Sequence, residues 1–151
     1  MTQQEVTTRM VAEGDLPIVL DMVHALSAHH GDTSTLTLAA LKRDAGHWHK
    51  IIVACVGDQI VGYASLLPRG QLHTGERGMN LHHLFVSSEC RRRGVGGALI
   101  KAATAISKEL GCVFLAVETA PDNTRAQQVY LDAGFAPRPI GGPQFSIRLD
   151  E

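Results

Sequence analysis

The chain has 151 residues, of which 44% are hydrophobic and 19% charged, and 14 basic residues nearly balance 15 acidic ones to give a net charge of −1. A domain usually holds about 100–200 residues, so a single domain over residues 1–151 is expected. The composition is typical of a globular protein and excludes a disordered chain. Near-neutrality excludes a broadly basic nucleic-acid surface but leaves room for a local basic patch.

The spacing of the cysteines and the length of the apolar runs indicate where in the cell the protein is expected. Cys55, Cys90 and Cys112 lie far apart in the sequence, without a paired spacing. This pattern argues against a disulfide framework and predicts a reducing, cytoplasmic location. No apolar run approaches the ~18 residues of a membrane helix, and the N-terminus lacks an apolar signal segment, so no membrane partner is expected.

The N-terminal quarter predicts one strand and two helices. The strand is expected at residues 6–11. Asp15 is typical of an N-cap, and Pro17 follows in the first turn of a helix whose apolar residues recur at helical spacing. A second, shorter helix is predicted over about residues 37–44.

The next segment predicts an antiparallel hairpin. Two β-branched runs, residues 51–56 and 59–67, are joined by the turn pair Gly57-Asp58. Residues 68–78 contain three glycines and one proline and are predicted to form a loop.

The following elements predict a strand–helix–strand unit. Residues 79–86 form the first strand, and a helix with one apolar face begins at Val95 and ends before Gly111. Residues 112–117 are all apolar, which predicts a buried strand. The two strands should be parallel, with a right-handed crossover.

A last helix is predicted at residues 123–133, ended by Gly134, and Phe135 begins a final strand or extended tail. The element order is therefore β-α-α-β-β-β-α-β-α-β. It predicts an α/β fold class with a mixed, mostly antiparallel sheet and helices on both faces.

The segment before the third helix is basic and rich in glycine: Arg91-Arg92-Arg93-Gly94-Val95-Gly96-Gly97-Ala98. A helix N-terminus offers unpaired N–H groups and a positive dipole end, and glycines let an anion approach them closely. Arginines add charge-assisted hydrogen bonds. The segment therefore predicts binding of a phosphate or pyrophosphate.

Three known phosphate-binding motifs resemble this segment to different degrees. A Walker loop needs Gly-Lys-Ser/Thr, but the sequence has Gly97-Ala98-Leu99. A dinucleotide-binding oxidoreductase is disfavoured, since the third glycine comes two positions early and residues 87–93 separate the motif from its strand. The pattern Arg/Gln-x-x-Gly-x-Gly/Ala is matched in full by residues 91–96.

With this pattern the sequence resembles the GNAT acyltransferase superfamily, whose pyrophosphate loop it matches. Leu84-Phe85-Val86 looks like the central strand of that family, and Asn123-x-x-Ala126-x-x-x-Tyr130-x-x-x-Gly134-Phe135 resembles its second motif. The resemblance covers nearly the whole chain and is weaker over the first 50 residues. It implies acetyl-coenzyme A as the cofactor and a parallel strand pair that splays apart.

The resemblance also implies roles in coenzyme binding. Backbone groups of the central strand would bind the pantetheine arm and the thioester carbonyl, and Arg91 would hold the pyrophosphate together with backbone N–H groups. Tyr130 would lie beside the sulfur and donate a proton to the leaving thiolate. The implied coenzyme-binding residues are Leu84, Phe85, Val86, Arg91, Arg92, Arg93, Gly94, Val95, Gly96, Gly97, Ala98, Asn123 and Tyr130. Asn123 is equally typical of an N-cap.

Two adjacent histidines precede the central strand motif. Strand alternation predicts that His82 and His83 point to opposite faces. The resemblance places a catalytic base two positions before Leu84, which is His82, and imidazole titrates near neutral pH. The alternative for His82 is a core histidine, and His83 is expected to be structural.

Other polar residues have simpler interpretations. His29, His30 and the pair around Trp48 are expected to be surface or loop histidines, because no Cys or carboxylate cluster completes a metal site. Glu118 is either an amine-binding group or a plain strand-end carboxylate. Cys90 is assigned no catalytic role.

The expected function is acetyl-coenzyme A dependent N-acetylation of a primary amine, on a small molecule or peptide, by direct transfer in a ternary complex. The alternative is a non-catalytic acyl-coenzyme A binding module on the same fold; the presence of both His82 and Tyr130 favours the enzyme. Loops near His29 and at residues 68–78 are expected to select the acceptor. The family often pairs through C-terminal strands, so a homodimer is also an expectation.

Overall fold

The computed structural model describes residues 5–139 and 141–150. The chain forms two compact units, Met1–Glu118 and Thr119–Glu151. The first unit holds, in chain order, β1 (Val6–Met10), α1 (Leu16–His29), α2 (Leu38–Asp44), β2 (Lys50–Val56), β3 (Gln59–Gln71), β4 (Glu76–Val86), α3 (Val95–Glu109) and β5 (Phe114–Val117). The second unit holds α4 (Thr124–Asp132).

The first two helices begin where local side-chain chemistry predicts. Asp15 precedes α1 directly, but its carboxylate makes no capping bond; it accepts hydrogen bonds from Arg9 at 2.6 and 3.0 Å and from the Ala12 N–H at 2.7 Å. The Thr37 hydroxyl caps α2 by accepting the Ala40 N–H at 3.1 Å. The N-terminus of α1 is therefore tied to β1 by an ion pair, whereas α2 is capped in the ordinary way.

The sheet of the first unit has the order β1-β2-β3-β4-β5. The first four strands pair antiparallel, and β5 pairs parallel with β4. This arrangement confirms the predicted α/β fold class with a mixed, mostly antiparallel sheet and a parallel crossover.

Helices cover both faces of this sheet. Val19 of α1 and Leu41 of α2 share a buried cluster with Val53 and Tyr63 of the adjacent strands. On the opposite face, a side chain on Gly62 would contact Val95 and Leu99 of α3 at 3.3 and 3.4 Å. Because Gly62 and Tyr63 are neighbours in β3, they point to opposite faces, so α1 and α2 lie on one face and α3 on the other.

The predicted loop at residues 68–78 is wrong. β3 continues to Gln71 and β4 begins at Glu76, so only residues 72–75 turn. Gly70 and Gly78 are ladder residues, and the Phe114 ring occupies the space where a Gly78 side chain would project. Both glycines therefore belong to strands rather than to a loop, and Gly78 marks close packing against Phe114.

The predicted buried strand at residues 112–117 is correct only in part. β5 begins at Phe114 and lies at the end of the strand order, so Ala116 is its one buried residue and Val113 is 64% exposed. An apolar run of four residues is enough for a partly covered edge strand.

The second unit is built around α4. The Asn123 side chain caps this helix by accepting the Ala126 N–H at 3.1 Å. Residues 135–139 and 141–150 contain no strand, so the last strand of the predicted element order is absent from the described residues. Phe145, Ile147 and Leu149 on this tail are 91%, 82% and 90% exposed. Within the described residues, no helix is long and apolar enough to cross a membrane.

Replacement of Gly62 by alanine should destabilise the fold. The added Cβ would lie 2.5 Å from the Phe85 carbonyl oxygen, a backbone atom that cannot move without disturbing β4. We expect the free energy of unfolding in urea to fall by about 1–3 kcal/mol, as for overpacked cores. The control is Gly70→Ala in the same strand, where a Cβ meets nothing within 4 Å. Equal losses in the two variants would contradict this account.

Candidate functional site

The C-terminal end of β4 extends beyond its partner β5. The parallel pairing covers Gly78 to Leu81, where Leu81 lies opposite Val117, the last residue of β5. β4 continues to Val86 and stays paired with β3 on its other side. In the described part of the first unit, Leu84, Phe85 and Val86 thus have no strand partner on the β5 side. An extended ligand can add to this edge through backbone hydrogen bonds.

The N-terminus of α3 is open and positively charged. Gly94 is its N-cap, with a φ of 80°, and no side chain caps the helix. Ala98 donates its N–H to Gly94 within the helix at 3.0 Å, which leaves the preceding N–H groups, from Val95 to Gly97, for a ligand. A Cβ on Gly97 would meet nothing within 4 Å, so the approach to these groups is clear.

Three arginines stand beside this helix end. Arg91, Arg92 and Arg93 are all exposed, and Arg92 adopts a φ of 69°, which is unusual for a residue with a side chain. The Arg91 guanidinium donates to the Val86 carbonyl at 3.4 Å and so turns back toward the end of β4. Positive side chains and a helix dipole together form a site that an anion such as pyrophosphate fits.

A β-bulge in β4 determines where the two adjacent histidines point. Ser65 pairs with His83 and the next β3 residue, Leu66, pairs with Leu81, so His82 is an extra residue without a partner. The expectation that His82 and His83 lie on opposite faces is wrong. Their rings stack, with centroids 4.3 Å apart and planes 14° apart. A bulge interrupts the alternation of side chains, which accounts for the shared face.

A third histidine extends this stack. The His49 ring, from the residue before β2, lies 5.8 Å from the His82 ring at an angle of 27°. Its Nδ1 is 3.4 Å from the Ser65 hydroxyl, and the Tyr63 hydroxyl is 3.0 Å from His83 Nδ1. We call these five residues, His49, Tyr63, Ser65, His82 and His83, the histidine cluster.

The environment keeps His82, His83 and Tyr63 of the cluster uncharged at neutral pH. Burial lowers the pKa of His83 to about 4, and neighbouring histidines add to this effect. Burial, followed by the field of His49, lowers the pKa of the more exposed His82. Burial also raises the pKa of Tyr63, so its hydroxyl keeps its proton. Neutral imidazoles can accept a proton, which suits a general base.

The histidine cluster forms one wall of a cavity of about 240 Å³. The cavity lies between α1, α2 and the sheet. Its other lining residues are Val19, Val23, Ser27, Ser34, Leu36, Ala40, Leu41, Asp44 and Ile51. A small molecule in this cavity would reach His82 from the α1–α2 face.

Sequence reasoning missed His49, Tyr63 and Ser65 as members of the site. Period-two alternation could have found them, since His49 is two residues before the core residue Ile51 and Ser65 is two residues after Tyr63. The bulge at His82 leaves no comparable signal in the sequence.

Several other candidates fall outside the cluster. Glu118 is 76% exposed and forms a 3.9 Å ion pair with Arg69, which favours the plain strand-end carboxylate over an amine-binding group. His29 and His30 are exposed, as predicted. Among the residues that the structure describes, no three His, Cys, Asp or Glu side chains are placed to hold a metal ion.

Tyr130 and Asn123 belong to the second unit. Tyr130 packs edge-on against Phe135, with ring centroids 5.5 Å apart and an angle of 71°. Burial raises the pKa of Tyr130, so its hydroxyl stays protonated at neutral pH. A protonated phenol is able to donate a proton.

Comparison with known proteins decides the family. The sequence profile of the Acetyltransferase (GNAT) family matches residues 21–135. This chain belongs to the GNAT acetyltransferase family. The resemblance inferred from the arginine–glycine loop and the second motif is thereby confirmed. The matched range includes every proposed coenzyme-binding residue of this GNAT chain.

Curated relatives of this GNAT chain are named as N-acetyltransferases. It is 32% identical to rat N-acetyltransferase 8B over 107 residues, which cover 70% of this chain and 46% of the relative. It is 28% identical to the uncharacterized N-acetyltransferase YhfO of Bacillus subtilis, over 59% of this chain and 60% of the relative. The chain thus spans about half the length of the curated relatives it matches.

Solved structures share the fold of the GNAT chain. An aminoglycoside acetyltransferase from an uncultured soil metagenomic sample superposes with a TM-score of 0.81 at 19% identity, covering 95% of this chain and 97% of the other. A structure described as a transcriptional regulator from Bacillus halodurans gives a TM-score of 0.78 at 23% identity, covering 94% and 100%. At these identities the likeness shows the fold alone.

Replacement of His83 by asparagine should flatten the acid dependence of stability. The pKa of His83 is lower in the folded chain than the ~6.5 of a free histidine. Its contribution to stability is therefore present above pH 6.5 and is lost as the pH falls toward the folded pKa. His83→Asn keeps a polar group near Tyr63 but cannot titrate.

Between pH 7 and pH 5, this variant should lose about 1–2 kcal/mol less unfolding free energy than the unmodified chain, a range reduced for partial solvent screening. Urea unfolding at both pH values measures the difference. The control is His73→Asn, which changes an exposed histidine on the β3–β4 turn. The same pH dependence in both variants would show that His83 is not the titrating group.

Proposed function

We propose that this chain is an acetyl-coenzyme A dependent N-acetyltransferase that acts on a primary amine of a small molecule or peptide. One observation carries the proposal: β4 presents the uncharged pair His82 and His83 at its bulge and an unpaired edge at its end, beside the open N-terminus of α3. The first feature suits a base and the others suit an acyl-coenzyme. Membership in the GNAT family and the names of the relatives support this assignment.

The coenzyme would lie along β4 and end at α3. Its pyrophosphate would accept hydrogen bonds from Arg91 and from the N–H groups of Val95 to Gly97, and Arg92 and Arg93 would add positive charge. Backbone groups of Leu84, Phe85 and Val86 would hold the pantetheine arm and orient the thioester. An N–H donor aimed at the thioester carbonyl stabilises the oxyanion that develops during attack more than the ground state. The family resemblance implies that Asn123 and Ala98 would also contact the coenzyme.

The reaction would proceed by direct transfer. His82 takes a proton from the acceptor nitrogen, directly or through water, and the nitrogen attacks the thioester carbonyl. A C–N bond forms and the C–S bond breaks. The nitrogen loses its second proton to solvent as the amide forms, and the departing thiolate takes a proton from Tyr130, which solvent then restores. The products are an amide and free coenzyme A. The neutral state of His82 and the protonated state of Tyr130 are the states that these roles require.

A non-catalytic acyl-coenzyme A binding module is the second candidate. Such a module needs the arginine–glycine loop but has no use for a neutral base beside a cavity. The histidine cluster therefore favours the enzyme. The family profile spans parts of both compact units, and we propose that the two units act together as one GNAT domain.

Replacement of Arg91 by alanine should weaken acetyl-coenzyme A binding. The loss of one charge-assisted hydrogen bond to phosphate, worth about 1.5–3 kcal/mol, should raise Kd by about 10–100-fold. Isothermal titration calorimetry with acetyl-coenzyme A measures this. The control is Arg77→Ala, an exposed arginine at the other end of β4. If the unmodified chain does not bind the coenzyme at all, the proposed function fails. If the unmodified chain binds and Arg91→Ala binds equally tightly, the role of Arg91 fails.

Replacement of His82 by alanine should lower turnover by about 100-fold or more, a typical loss for a general base. The unmodified enzyme should lose kcat/KM as the pH falls through the lowered pKa of His82, because the protonated ring cannot accept a proton. In the variant, the fall of kcat/KM at the pKa of His82 should be absent. The rate should instead follow deprotonation of the acceptor amine itself. Free-thiol release, recorded across pH values, gives both profiles. An unchanged profile would exclude His82 as the base, and His73→Ala controls for loss of a histidine elsewhere.

A further inference from the structure

We propose that the acceptor is a small amine with a single positive charge and a short apolar body, bound in the cavity between α1, α2 and the sheet. This inference rests on the proposed function and narrows its amine to one class. The cavity volume of about 240 Å³ is below the ~300–1,000 Å³ of sites for drug-sized ligands, so the bound molecule is correspondingly small.

The deep wall of the cavity is apolar. Val19, Leu41 and Ile51 are 0%, 6% and 3% exposed and form its floor, and Val23 adds a further buried side chain. An alkyl or aryl group placed against these residues leaves water, which favours its binding. The reacting nitrogen of such a molecule would point away from this floor, toward the histidine cluster.

The lining offers nothing to neutralise a second positive charge. Asp44 is the one carboxylate among the lining residues in the described part of the chain. Both of its oxygens accept hydrogen bonds from the Arg43 guanidinium, each at 2.9 Å. The remaining polar groups are the hydroxyls of Ser27 and Ser34 and the histidine cluster, which contains no carboxylate and in which burial keeps His82 and His83 uncharged. A second ammonium in this cavity would be desolvated without an anionic partner, which is unfavourable.

A matched pair of acceptors tests this inference. Hexylamine and pentane-1,5-diamine have the same chain length and differ in a terminal methyl against a terminal ammonium. With saturating acetyl-coenzyme A, kcat/KM from free-thiol release should be about tenfold or more higher for hexylamine. An equal or higher value for the diamine would overturn the inference.

A designed carboxylate provides the second arm of the test. Ala40 lines the cavity and is the third residue of α2, where an acidic side chain suits the helix dipole, so Ala40→Asp should fold. This variant should reduce the preference for hexylamine by about tenfold, because the new carboxylate can pair with the second ammonium. The control is Ala105→Asp, which adds the same charge at an exposed position of α3, on the other face of the sheet. The same preference in both variants would count against the inference.

The two levels of failure can be told apart. If neither amine releases thiol although acetyl-coenzyme A binds, the acceptor class fails; the proposed N-acetyltransferase function fails as well only if a panel of other small amines and peptides releases none either. If both amines are acetylated and the diamine is preferred, the enzyme function stands and the acceptor class alone is wrong.

Discussion

The extra residue at His82 in β4 is the constraint on which the candidate site depends. In a regular ladder, one of the two adjacent histidines would face α3, where the neighbouring ladder residues Leu66 and Leu81 are 0% and 2% exposed. An imidazole in those apolar surroundings would lack hydrogen-bond partners and would destabilise the fold. The bulge removes this conflict: it leaves the apolar residues on the α3 face and puts both rings on the other face, where His83 meets the Tyr63 hydroxyl and His82 stacks between His83 and His49. The same local irregularity thus preserves the core and creates the polar wall of the cavity.

Because the bulge and the unpaired edge belong to one strand, the backbone of β4 sets the distance between them. From His82 to Val86 an extended strand spans about 13 Å, at ~3.3 Å per residue. Val86 also accepts the Arg91 hydrogen bond, so the strand end is connected to the arginine–glycine loop. A strand in a sheet is stiffer than a loop, and groups placed on it keep their spacing. Under the proposed function, this fixed spacing would let His82 and the N-terminus of α3 act on one extended ligand.

The parts of the structure that depend on local chemistry could be predicted from the sequence, and the parts that depend on distant contacts could not. Asn123 caps α4 as expected, and α2 begins next to the predicted residue 37, because a cap or a helix start needs only the side chain and the next turn. The glycine-rich opening of α3 is likewise local. The sequence predicts a loop at Gly78, and the prediction is wrong because the ring that excludes a side chain there, Phe114, lies far along the chain. The stacking of His49 on His82 similarly depends on how the residue before β2 sits against β4, which no local pattern encodes.

His82 is more exposed than His83, and this difference bears on which ring would take the proton of the acceptor amine. An alkylamine has a pKa near that of lysine, about 10.4, so its proton is held far more tightly than a histidine with a lowered pKa would hold it. A base of this kind works only if it passes the proton onward to solvent instead of storing it. His82 is exposed and can exchange with water, whereas His83 is more buried and bound to Tyr63. The outer ring is therefore the one suited to relay the proton. His83, the inner ring, resists protonation because it is buried, so it would add no positive charge next to a bound acceptor.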